Sequence, residues 1–221
     1  MKSYVTIVSG LPRSGTSMMM RMLKSGGMDV VTDNIRQGDE DNPHGYYEYE
    51  KVKSIQVNAS WLEDMQGKVF KMVSMLLFHL PPDTNCRLVF MKRNLKEVIS
   101  SQSRMLIRTG KDTGVENADE MEILYTKHLR EVEEWIERQP NIKVLYLDYL
   151  DVLEKTLETA GLINDFLDSR LSINDMCSAV DKTLYRNRTT EKFEATDNSA
   201  GESSDSEKEE IKKKLELLGY M

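Results

Sequence analysis

Val5-Thr6-Ile7-Val8-Ser9-Gly10-Leu11-Pro12-Arg13-Ser14-Gly15-Thr16-Ser17-Met18-Met19-Met20 decides the fold. Residues 5–9 make a continuous β-forming run, the pattern of a strand buried on both faces. Residues 16–24, with Met18, Met19, Met20, Met22 and Leu23, read as a helix. Between them stand Gly10 and Gly15, at the spacing G-x-x-x-x-G in a strand–turn–helix context. Glycine lets the backbone turn sharply and approach an anion closely, and the unsatisfied amides that open a helix then point at that anion. In the nucleoside-triphosphate version of this loop a lysine follows the second glycine and reaches the β- and γ-phosphates. Here Thr16 takes its place, and the cation of the loop is Arg13. The expectation is an anion site of a different kind. A P-loop kinase or nucleotidase using ATP is the alternative, weakened by the missing lysine and by the want of an acidic strand end to hold magnesium.

Further strands are expected at 68–73, 87–91 and 142–147, and helices at 51–65, 95–108, 116–138 and 152–167. This alternation specifies an α/β fold, a P-loop three-layer sandwich with a mainly parallel central sheet flanked by helices. Ligands in such sheets bind at the carboxyl ends of the strands. The body is read as one domain over 1–190. A small, polar stretch, 191–206, reads as a flexible acidic linker. Ile211, Leu215 and Leu218 then mark a short C-terminal amphipathic helix over 207–221, with Gly219 as its stop. With no apolar anchor in the linker, truncation after Arg188 or Thr190 is expected to leave the body folded.

A chain of 221 residues with 39% apolar side chains and only 5 prolines buries a real core, which excludes collagenous, disordered and disulfide-stapled classes. No apolar run approaches the roughly 20 residues of a membrane span, and the first strand is too short for a signal-peptide core. Cys86 and Cys177 lie far apart, without metal-ligand spacing, and read as reduced thiols in a cytoplasmic protein. The net charge of −7 argues against nucleic-acid binding. Part of that acidity is local: residues 189–221 hold nine acidic side chains against five lysines.

The stretch Leu11-Pro12-Arg13-Ser14-Gly15-Thr16-Ser17 resembles the 5′-phosphosulfate loop of the sulfotransferases, which transfer a sulfuryl group from PAPS (3′-phosphoadenosine-5′-phosphosulfate). The resemblance implies that Pro12, Arg13, Ser14, Gly15, Thr16 and Ser17 hold that group without metal, and that adenosine 3′,5′-bisphosphate is the product. PAPS carries a separate 3′-phosphate, so a second anion pocket is required. Phe90-Met91-Lys92-Arg93 ends a strand and enters a helix, and Arg93 there can clamp phosphate through its planar fork of donors. Ser101, eight residues on, lies about two turns into that helix. The arrangement resembles the family's 3′-phosphate motif, with Leu95 where proline often stands. Arg186 and Arg188 resemble, less closely, a late basic segment that grips the same phosphate; the glycine of that segment is missing here. Asn42-Pro43-His44-Gly45-Tyr46-Tyr47-Glu48 is similar to an N-P-x-G-[FY]-[WY]-E segment of many bacterial sulfotransferase-like proteins. The resemblance spans residues 4 to about 188.

Sulfuryl transfer needs cations at the bridging oxygen and a base for the acceptor proton, the positioning problem that phosphoryl transfer also poses. Arg13 meets the first need, with Lys71 as a second candidate. In the cytosolic enzymes of the family a histidine two residues after that lysine is the base; here the position is Val73. Other members use a glutamate, and Glu48, in a Gly/Tyr-rich segment able to shape a pocket, is the choice here. Glu50, His44 and Asp41 are the alternatives, with Asp39, Glu40 and Asp41 read as a solvated run. His79, His128, Trp61 and Trp135 read as structural. The expected activity is thus a PAPS-dependent sulfotransferase acting on a hydroxyl or amine of a small molecule, lipid or peptide. A catalytically silent nucleotide-binding module is the third reading. The oligomeric state is left open.

Overall fold

The computed structural model describes residues 4–33, 35–36, 38–40, 42–111, 118–168, 171–185, 203–218 and 220. Four strands, β1 (Val5–Gly10), β2 (Val69–Val73), β3 (Cys86–Lys92) and β4 (Ile142–Asp148), form one sheet in the order β2-β1-β3-β4, every pairing parallel. The helices are α1 (Thr16–Ser25), α2 (Leu95–Arg108), α3 (Ala118–Glu137), α4 (Tyr149–Glu154), α5 (Thr156–Phe166), α6 (Ile173–Ser178) and α7 (Asp205–Leu217). Side chains alternate across a strand. Ile7, Phe70, Met72, Leu88 and Phe90 therefore face one layer, packed with α2, α3 and α7, whereas Val8, Val69, Val89, Met91 and Leu147 face the other, packed with α1, α4, α5 and α6. The chain is the three-layer α/β sandwich that the alternation specifies. Its register sets Gly10 beside both Val73 and Met91, so the carboxyl ends of β2, β1 and β3 lie side by side.

Two expected helices take another form. Residues 51–65 fold as separate 3-10 segments, Glu50–Ser54 and Ser60–Met65. Asn58 breaks the path between them, its side chain accepting from the Ser60 amide at 2.9 Å and its carbonyl from Trp61 Nε1 at 3.0 Å. Asparagine bonds to nearby backbone in competition with a helix. Residues 152–167 belong to two helices, α4 and α5, which meet at Lys155 with ψ 44°. The Thr156 hydroxyl donates back to the Val152 carbonyl at 2.9 Å and eases that bend.

The tail departs furthest from expectation. α7 starts at Asp205, inside the stretch read as linker, with Ser204 and Glu207 forming a capping box. Ile211, Leu215 and Leu218 are each 1% exposed and belong to the core layer of α2 and α3. Lys127 pairs with Glu207 at 2.7 Å, and the Leu217 carbonyl accepts from Lys111 Nζ at 2.6 Å. The helix is docked, and the expectation that the body dispenses with it gives way to this burial. Leu215→Ala is expected to cost about 2–5 kcal/mol and to lower the melting temperature by roughly 5–15 °C. A thermal melt with a shift below about 2 °C would place the helix outside the cooperative unit. Among the described residues no helix is long and apolar enough to cross a membrane.

Candidate active site

The loop between β1 and α1 is built where side chains have no room. A Cβ on Gly10 (φ 144°) would sit 2.5 Å from the Met91 carbonyl oxygen, and one on Gly15 (φ 100°) 2.5 Å from the Tyr149 ring. Arg13 also has positive φ, 75°. Such a backbone is held by its surroundings. Gln102 Nε2 donates to the Pro12 carbonyl and Arg93 Nη1 to the Arg13 carbonyl, both at 3.0 Å, while the Tyr125 hydroxyl fixes Gln102 from behind at 2.7 Å. Gly15 caps α1 without a side-chain bond, and Ser14 Oγ is buried with no hydrogen-bond partner among the described residues. Ser17 Oγ donates to the Tyr46 carbonyl at 3.3 Å.

The loop after β1 and the segment that leads into α2 meet. Arg13 Nε donates to Ser101 Oγ at 3.0 Å, across 88 residues of sequence. Arg93 pairs with Glu97 at 2.7 Å, Glu97 accepts from the Tyr185 hydroxyl at 2.7 Å, and the Tyr149 ring centroid lies 4.2 Å from the Arg93 guanidinium carbon. Glu97 fixes the orientation of Arg93 and shares its charge. Arg13, Gly15, Thr16, Ser17 and Arg93 line one cleft. Arg186 and Arg188 lie outside the described residues.

On the other side of the loop stands a buried ion cluster. Glu48 Oε1 is 3.0 Å from Arg36 Nη1 and 3.6 Å from Lys71 Nζ, with Glu48 9% and Lys71 5% exposed. Lys71 also donates to the Tyr46 carbonyl at 2.5 Å. Burial pulls the Lys71 ammonium down to about 8, and the Glu48 carboxylate opposes that fall. The segment 42–50 is tightly packed: Tyr46 is fully buried, the Arg36 guanidinium lies 3.6 Å from its ring centroid, and its hydroxyl donates to Asp39 at 2.9 Å. Asp39, read as solvated, is thus half-buried and bonded to both Tyr46 and Arg108. Glu48 lines a separate hollow with Arg36, Glu50 and Leu218 and is not among the residues lining the cleft of Arg13 and Arg93. Of the alternative bases, Glu50 faces solvent and pairs with Lys53, His44 lines the cleft and sits 3.4 Å from Asp181, and Asp41 lies outside the described residues. Val73 is buried in the core.

Sequence reasoning passed over Arg36, Glu97, Gln102 and Tyr220. Glu97 was legible, four residues after Arg93 on one helix face. Arg36, in an irregular segment before the Tyr-rich stretch, carries no motif, and Tyr220 reaches the cleft from another layer.

A family model described as sulfotransferase domain matches residues 5–216. No curated protein matches the sequence at a significant level. Among solved structures, the sulfotransferase domain of the Synechococcus PCC 7002 olefin synthase is 12% identical, with a TM-score of 0.50 over 84% of this chain and 80% of that one. The sulfotransferase domain from the curacin biosynthetic pathway is 13% identical, with a TM-score of 0.50 over 99% and 98%. Mouse sulfotransferase SULT7A1, complexed with PAP, is 16% identical, with a TM-score of 0.50; 80% of this chain covers 62% of that one.

Proposed function

The chain belongs to the sulfotransferase domain family, and from that premise we propose that it moves a sulfuryl group from PAPS to a hydroxyl or amine acceptor in the cleft beside Gly10. The observation that carries this reading is the joining of loop and helix: Arg13 to Ser101, and Arg93 to the loop backbone. A donor with two separate anionic groups needs two pockets at a fixed spacing, and these bonds hold the two segments at one. The residues fit such a donor. The loop is a cradle without room for side chains at Gly10 or Gly15, and Ser14 offers a buried hydroxyl that has no partner among the described residues. PAPS, when bound, supplies the sulfuryl group and departs as adenosine 3′,5′-bisphosphate.

The chain's own residues divide the remaining work. Pro12 through Ser17, with the first amides of α1, hold the 5′ end. Arg93 and Ser101 hold the 3′-phosphate, with Arg186 and Arg188 assigned by resemblance to the same group. Arg13 and Lys71 oppose the charge that develops at the transferring group, and Lys71 carries its proton at neutral pH. Glu48 receives the acceptor's proton. Thr16, in the lysine's place, leaves the ATP reading without its phosphate-reaching cation, and no observation favours that reading. The proposed setting is the cytoplasm, where the thiols of Cys86 and Cys177 stay reduced. The acceptor is a small molecule, a lipid or a peptide.

Equilibrium binding tests the proposal. Adenosine 3′,5′-bisphosphate is expected to bind in the presence of a metal chelator, roughly 10–100-fold tighter than adenosine 5′-phosphate, the worth of one or two charge-assisted bonds. Arg93→Ala should erase that ratio. Equal losses for both ligands would show that Arg93 does not read the 3′-phosphate. No binding of the bisphosphate would remove the sulfotransfer reading itself.

A further inference from the structure

Tyr220 lies where none of the chemistry above requires it. It follows α7, is 7% exposed, and lines the cleft together with Arg13, Thr16 and Ser17. Its ring centroid is 5.2 Å from Lys71 Nζ and 5.4 Å from the Arg36 guanidinium carbon. Arg36 hydrogen-bonds to the Tyr220 side chain, and the same guanidinium donates to Glu48 at 3.0 Å and to the Leu218 carbonyl at 3.2 Å. The Tyr220 amide donates to the Leu215 carbonyl at 2.9 Å, so the ring projects from a helix end that is anchored by the core.

A hydroxylated ring therefore stands among the candidate base and two cations, at the edge of the cleft that Arg13, Thr16 and Ser17 line. Burial raises the phenol's pKa, so Tyr220 is neutral and is not itself a base at working pH. Its side chain has the shape and polarity of an acceptor: a flat apolar body with one hydroxyl at its end. α7 keeps its hold on the body through Ile211, Leu215 and Leu218, and Tyr220 belongs to the same core, so an incoming ring has to replace the burial that its side chain gives up.

We propose that the space filled by the Tyr220 ring, between Lys71 and Arg36, is the acceptor subsite, and that Tyr220 is the residue that sets which acceptors gain entry. An acceptor with a planar ring and a terminal hydroxyl or amine replaces the side chain, and Arg36 transfers its hydrogen bond from the tyrosine to the acceptor. Bulkier acceptors are held out by the anchored helix end. The assignment deepens the sulfotransfer reading and rests on it for the identity of the reaction.

The test uses the whole chain, Tyr220→Ala and Tyr220→Phe, with 2-naphthol as the acceptor probe. Binding of 2-naphthol is read from its own fluorescence, and transfer from PAPS to it as 2-naphthyl sulfate. Tyr220→Ala is expected to bind 2-naphthol at least fivefold tighter and to lower its KM by a similar factor, with the affinity for adenosine 3′,5′-bisphosphate changed less than twofold. Tyr220→Phe keeps the ring and loses the bond to Arg36, so a two- to threefold gain is expected; this arm decides if the alanine variant does not fold. Unchanged 2-naphthol binding overturns the assignment. So does tighter binding with no gain in transfer, which would mark a cavity off the reaction path. A lower kcat at unchanged KM overturns it too, by placing Tyr220 in the chemistry. If adenosine 3′,5′-bisphosphate binds none of the three proteins, the sulfotransfer reading has failed, and the 2-naphthol binding arm still decides whether Tyr220 fills a ring-sized subsite.

Discussion

Glu48→Gln lowers turnover by roughly 10²–10⁴ and leaves the affinity for adenosine 3′,5′-bisphosphate within about twofold. The substitution keeps the shape of the side chain and deletes the charge proposed to receive the acceptor's proton. The ion cluster gives the variant a second signature. The Glu48 carboxylate, 3.6 Å from Lys71 Nζ, works against the burial that brings Lys71 down to about 8. Glutamine withdraws that support, so the Lys71 pKa falls further. Lys71 is a cation below its pKa and neutral above it, and the alkaline limb of the rate profile therefore moves to lower pH in the variant. A pH–rate profile of wild type and variant, at saturating donor, checks both effects. A loss below about threefold excludes Glu48 as the base and turns attention to His44, which lines the cleft, and to Asp41.

Arg13→Ala lowers turnover by about 10²–10³, the usual worth of one preorganised charge at a transferring group. The backbone at this position already adopts φ 75° with a non-glycine residue, so alanine adds no new conformational demand. The carbonyl bond from Arg93 Nη1 is made to the main chain and survives the substitution. Single-turnover transfer from PAPS is the measurement. Unchanged turnover would remove the loop cation from the chemistry and leave Lys71 as the cation there.

The sheet was legible because parallel strands buried on both faces read as near-continuous apolar runs, most fully in β1, while the less buried β4 still shows an apolar stretch from Val144 to Leu147. The glycine loop was legible because Gly10 and Gly15 answer to the immediate chain, a tight turn leading into a helix. Glu48 stood out for a related reason: the tyrosines on either side announce a pocket. What escaped depends on contacts between layers. The docking of α7 is decided by the groove that α2 and α3 leave open, and neither helix states in its own sequence that the groove needs filling. Arg36 acquires its role from Glu48 and Tyr46, twelve and ten residues on, through a segment with no periodicity. The split between α4 and α5 falls at Lys155, where the backbone leaves the helical region and a hydrophobic pattern registers nothing. Arg186 and Arg188 lie outside the described residues and stand as expectations from resemblance.

The bond from Arg13 Nε to Ser101 Oγ is a strut across the cleft. Ser101 accepts in it and keeps its own O–H to donate, and Arg13 gives it one of the five N–H donors of a guanidinium. The strut can therefore stay in place while both residues face a ligand. If the two segments hold the two ends of one donor, as proposed, the strut works as a caliper: it sets the span between the ends in advance. A ligand with both anionic groups at that span gains from the preset distance, and a ligand with a single group gains nothing from it.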